Sequence, residues 1–109
     1  MATLATQVIA LAGLNPTYGA ATGGGDKCEV GDRIFLHVKN GGGSPITVTL
    51  TATASLRGQA VSNVTVSVPA SGERMIGPLS ADLLQNASDG LCAIGYSAAA
   101  SVTVAALRI

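Results

Sequence analysis

From Ile46 to Thr53 the chain alternates without interruption, Ile-Thr-Val-Thr-Leu-Thr-Ala-Thr. A period of two held over so many residues fits a half-buried β-strand and no helix. Successive strand side chains point to opposite faces, so Ile46, Val48, Leu50 and Ala52 enter a core while Thr47, Thr49, Thr51 and Thr53 face outward. The same habit recurs at Val64, Val66 and Val68 around Thr65 and Ser67, and at Val102 and Val104 around Thr103. The expected fold is all-β: a single-domain antiparallel β-sandwich of about seven short strands. Its outward residues are Thr, Ser and Ala rather than Lys and Glu, a surface that accepts a neighbour without desolvating charge. Such faces point to a component of an assembly.

Composition narrows the class. A chain of 109 residues is one domain, large enough to bury a core without disulfide staples. Aromatic residues are only 3% and Trp is absent, so Val, Ile, Leu and Ala must fill that core. Charged residues are 11%, against about a quarter in ordinary domains. Lys27, Arg33, Lys39, Arg57, Arg74 and Arg108 are dispersed, with no aromatic platform among them, which argues against nucleic-acid binding. Six basic residues balance six acidic ones, and zero net charge gives a free monomer little protection from association.

Met1-Ala2-Thr3-Leu4 carries no basic n-region, and the apolar stretch Val8 to Leu14 is short and broken by Gly13. Neither a signal peptide nor a membrane span is expected, so the protein is made in a cytoplasm. In that compartment Cys28 and Cys92 are expected to be reduced, buried small hydrophobes.

Along the chain, residues 1–20 read as an N-terminal strand or extended arm and residues 21–109 as the sandwich. Asn15-Pro16-Thr17-Tyr18 turns the chain, and Gly19 to Lys27 is a glycine-rich loop. Ile34, Leu36 and Val38 form one apolar face, with Arg33, Phe35, His37 and Lys39 on the other. The Asn40-Gly41-Gly42-Gly43-Ser44-Pro45 connection then predicts a β-hairpin over residues 33–54. Further strands are expected at Val61 to Val68, Glu73 to Leu79, Leu91 to Ser97 and Ser101 to Ile109. The slip of apolar phase in the last strand predicts a bulge near Ala105-Ala106. The one helical stretch is a turn or so at residues 80–86, with Ser80 as its N-cap.

Chemistry-bearing constellations are sparse. His37 is the only histidine, and Cys28, Glu29 and Asp32 near it lack a recognised ligand spacing, so it reads as an exposed strand residue. Asp26, Glu29 and Asp32 depart from the spacing of a calcium loop. The runs Gly23-Gly24-Gly25 and Gly41-Gly42-Gly43 match no phosphate-binding fingerprint. There is no Gly-x-Ser-x-Gly elbow. No catalytic activity, metal or cofactor is expected.

The segments Leu14 to Tyr18, Phe35 to Gly41, Val68 to Arg74 and Val102 to Ala106 resemble small all-β head-decoration, or cement, proteins of tailed bacteriophages. The resemblance covers most of the chain but rests on turn and strand patterns. It implies a virion protein on the outer surface of the head that reinforces contacts between major capsid subunits, often as a homotrimer.

Partners are therefore expected to be the major capsid protein and other copies of this chain. Interface residues are expected in the N-terminal segment at Leu4, Val8, Ile9 and Leu11, which looks too apolar for a solvated tail and lacks local means of holding itself in the sandwich. Tyr18 and the outward Thr47, Thr49 and Thr51 complete the set. The alternative is a host-attachment or carbohydrate-binding β-module of a virion fibre or tail. Tyr18, Tyr96 and Phe35 are few aromatics for stacking on sugars.

Overall fold

A computed structural model describes residues 2–109. In chain order the strands are β1 (Ala2–Thr3), β2 (Thr6–Val8), β3 (Gly19–Ala20), β4 (Asp26–Cys28), β5 (Ile34–Asn40) and β6 (Ile46–Leu50). They continue with β7 (Ser55–Leu56), β8 (Gln59–Ala60), β9 (Val64–Val68), β10 (Glu73–Ile76), β11 (Cys92–Tyr96) and β12 (Val102–Arg108), with one helical turn, α1 (Ala81–Leu84), before β11. The first sheet has the order β1-β4-β11-β6-β9 and the second the order β10-β5-β12-β2, with β3 also on β12. Strands β7 and β8 form a separate small ribbon. The protein is an all-β sandwich, antiparallel except where the N-terminal strands join it: β1 runs parallel to β4, and β2 parallel to β12.

Alternation builds the core directly. Leu36 and Val38 of β5, Val48 and Leu50 of β6, Val68 of β9, Ile94 of β11 and Val102 and Val104 of β12 are almost wholly buried in one cluster. All six residues expected to share a core, Ile34, Leu36, Val38, Ile46, Val48 and Leu50, do so. The hairpin over residues 33–54 is nevertheless absent. Strand β5 pairs with β12 and β10, whereas β6 pairs with β11 and β9, so the two meet across the core rather than edge to edge. The connection between them crosses from one sheet to the other, and the side chain of Asn40 closes it. The buried Asn40 amide donates to the carbonyls of Ser44 at 2.8 Å and of Val68 and Pro69 at 3.3 Å, and its oxygen accepts from Gly42 N–H at 3.0 Å. This one side chain ties the crossing to three backbone carbonyls, of Ser44 within it and of Val68 and Pro69 at the end of β9.

One further expectation changes. The bulge in β12 is absent, because its register with β5 runs unbroken from Val102↔Asn40 to Arg108↔Ile34. The phase slip arises because Ala105 and Leu107 of the outward face are buried as well. The N-terminal segment, expected as a strand or an extended arm, carries the short strands β1 and β2. It joins both sheets within seven residues, with Leu4 between them packed on the core and its N–H bonded to Lys27 O at 2.7 Å. Each strand is too short for a period to be legible. Ser80 precedes α1 but makes no side-chain cap bond, and its hydroxyl is instead bonded to Asp82.

Candidate interaction surfaces

Two outer faces and their rims carry the candidate residues. On the first sheet the alternation that buries Val48 and Ile94 turns Thr47 and Thr49 of β6 outward. Beside them lie Thr65 and Ser67 of β9, in register with Thr49 and Thr47, and Gly95 of β11, in register with Thr49. Three adjacent strands therefore present hydroxyls, a glycine and, at Ala93, a methyl, and no ionised group. The first charges appear at the far side, where Lys27 of β4 pairs with Asp89 at 2.5 Å. That ammonium is the chief reason the Asp89 carboxyl is held below the usual range. Thr51 is exposed just past β6, its N–H donating to Ala93 O at 3.1 Å.

The second sheet is different in kind. Phe35, His37 and Lys39 of β5 face outward beside Met75 and Glu73 of β10. His37 was expected to be exposed, but it is only 6% accessible. Tyr18 Oη lies 2.6 Å from His37 Nδ1, and His37 Nε2 lies 3.1 Å from the Glu73 carboxylate. A carboxylate only accepts, so in the neutral ring Nε2 carries the proton and Nδ1 accepts from the Tyr18 hydroxyl. Lys39 Nζ sits 4.1 Å from the centre of the Tyr18 ring. One residue earlier, the Gln7 side chain donates to Thr17 O and accepts from Thr17 N–H, both at 2.8 Å. These contacts clasp the segment before β3 onto the sheet.

The expected interface residues thus separate. Thr47, Thr49 and Thr51 share the first outer face or its margin. Val8, Ile9 and Leu11 are 56%, 41% and 107% exposed at the β2 end of the second sheet. Tyr18 is half-buried in the clasp, and Leu4 packs against the core. A shallow groove of about 390 Å³ lies elsewhere on the second sheet, between Phe35, Met75, Gly77, Pro78 and Ile109. Gly77 permits it, because a Cβ there would stand 2.5 Å from Phe35 Cβ.

Residues weighed as ligands point apart: Asp26 and Cys28 inward, Glu29 outward to accept from Thr6 Oγ1 at 2.8 Å, and His37 across the other sheet. Asp26 is fully buried, receiving Tyr96 Oη–H at 2.8 Å and Thr22 N–H at 3.2 Å. Burial, then the Asp26 carboxylate, pushes the Tyr96 hydroxyl well above its usual range. Cys28 and Cys92 lie directly opposite one another as buried free thiols. The hydrogen bond to Cys92 and burial push the Cys28 thiol up, away from thiolate reactivity. Sequence reasoning singled out neither Asn40 as the closure between sheets nor Asp26 as a buried acceptor. The only signal was a polar residue at the junction of a glycine run and a strand.

Among the described residues, no helix is long and apolar enough to cross a membrane. Comparison with known protein families, with curated proteins and with solved structures finds nothing that matches the chain.

Proposed function

We propose that this protein is a virion structural protein that decorates the outside of a bacteriophage head and reinforces contacts between major capsid subunits. The observation that carries the reading is the outer face of the first sheet, where three adjacent strands display Thr47, Thr49, Thr65, Ser67 and Gly95 with no charge among them. Burying such a face against a capsid desolvates hydroxyls that find new partners and leaves no ion stranded. The sequence resemblance supports the same role. The exposed Val8, Ile9 and Leu11 offer a second, apolar contact at the β2 edge of the second sheet.

The attachment-module alternative has less support. Tyr18 is held under Lys39 against His37, Tyr96 turns its hydroxyl to Asp26, and Phe35 stands in a separate groove. These rings form no shared platform for a sugar.

Co-sedimentation with expanded, undecorated phage heads tests the proposal. Full-length protein should pellet with them, and Thr49→Lys should reduce occupancy by tenfold or more while leaving the thermal melt close to wild type. Absence of binding by the wild-type protein, with binding to host-surface polysaccharide instead, would move the attachment role ahead.

A further inference from the structure

The sandwich has four edges, and three are guarded. Strands β1 and β2 are only two and three residues long. Strand β10 carries Arg74 in register with Val38, which places an exposed cation on the core-facing side of that edge. Short strands and inward-pointing charges are the usual means by which a sheet edge is kept from pairing. Strand β9 has neither. It is Val-Thr-Val-Ser-Val, five residues with no charge or proline, and it ends the first sheet.

The direction of its free groups follows from its neighbours. Thr51 N–H bonds Ala93 O and Ser97 N–H bonds Thr47 O, so the odd residues of β6 bond toward β11. Its even residues, Ile46, Val48 and Leu50, therefore bond toward their register partners Val68, Val66 and Val64. That leaves the N–H and C=O of Thr65 and Ser67 directed away from the sheet. Among the described residues, no strand continues it beyond β9.

We infer that β9 is a homodimerisation edge, pairing antiparallel with β9 of a second copy about a two-fold axis through Val66. In that register Thr65 of each copy faces Ser67 of the other, and each such pair exchanges both backbone hydrogen bonds. The two Val66 side chains meet at the axis as a non-hydrogen-bonded pair, completing the burial of a residue that one copy leaves half-exposed. A second copy fits this edge because the match is self-complementary: every group that one strand offers, the other accepts, and hydroxyl faces hydroxyl on the outer side. No like charges are opposed within the pairing. The inference concerns the free protein and does not depend on a capsid.

Sedimentation equilibrium across micromolar to submillimolar concentration provides the test. The wild-type protein should approach twice the 10.7 kDa chain mass. T65K/S67K sets lysine opposite lysine across the axis and should remain at one chain mass. T65K/S67E sets lysine opposite glutamate and should restore the dimer at low salt. Should the double-lysine variant lose its cooperative melt, S67P makes the same comparison, since it removes only an outward-directed N–H. A wild-type protein that stays monomeric throughout overturns the inference, as does a dimer indifferent to these substitutions.

Discussion

Asn40→Asp is the sharpest probe of the crossing between the sheets, because it changes one nitrogen to oxygen and leaves shape and volume alone. The carboxylate still accepts from Gly42 N–H but now points an anionic oxygen at the carbonyls of Ser44, Val68 and Pro69, where the amide had donated. Losing the 2.8 Å bond and the two longer ones removes about 1–2 kcal/mol, and leaving the Ser44 and Pro69 carbonyls without this donor adds about 1–3 kcal/mol. A deficit of roughly 3 kcal/mol is a large share of the 5–15 kcal/mol or so that holds a domain of this kind together. At about 4–8 °C per kcal/mol, the melting temperature should fall by roughly 12–24 °C at neutral pH. The deficit should also depend on pH in a set direction. Burial and the facing carbonyls raise the folded pKa of the introduced carboxyl above its unfolded value of about 3.9, so the native state binds the extra proton. Once protonated, the introduced carboxyl can donate again. The gap to wild type is therefore smallest near and below about pH 4, and widens as pH rises through the raised pKa. Paired thermal melts by circular dichroism between pH 4 and 8 read both quantities. A gap under about 1 kcal/mol, or one of constant size across that range, would refute the role given to Asn40.

Two other outcomes follow from the same geometry. Val48 is wholly buried and Thr47 beside it is exposed, so Val48→Asp should abolish the cooperative melt while Thr47→Asp shifts stability by about 0.5 kcal/mol or less in urea denaturation; equal damage would mean the assigned faces are wrong. The Lys27–Asp89 pair holds the Asp89 pKa down, so its contribution is present above the unfolded carboxyl pKa and is lost as pH falls through the depressed folded value. In Lys27→Met the Asp89 carboxyl resonance should titrate at higher pH than in wild type, and an unchanged midpoint would remove the lysine as the cause.

The all-β class, the inward and outward sets of the regular strands, and the uncharged threonine face were all legible along the chain. These depend on side chains alternating along a single strand, a relation between neighbours that needs no knowledge of partners. Ile34, Leu36, Val38, Ile46, Val48 and Leu50 could be read as core for that reason. Which sheet each strand joins could not. The glycine-rich stretch after Asn40 suits a hairpin turn and a sheet-to-sheet crossing equally well. The choice fell to the pairings of β5 with β12 and of β6 with β11, whose members lie far apart in the chain. His37 followed the same rule: its alternation placed it outward, and only Tyr18 and Glu73, brought over it by distant segments, buried it. The N-terminal residues alternate too briefly in either sheet to show a period, so their place was decided entirely by the open backbone groups of β4 and β12. A local pattern records which face a side chain takes. Tertiary structure decides what covers that face, because the covering residues are distant in sequence and leave no mark on the pattern itself.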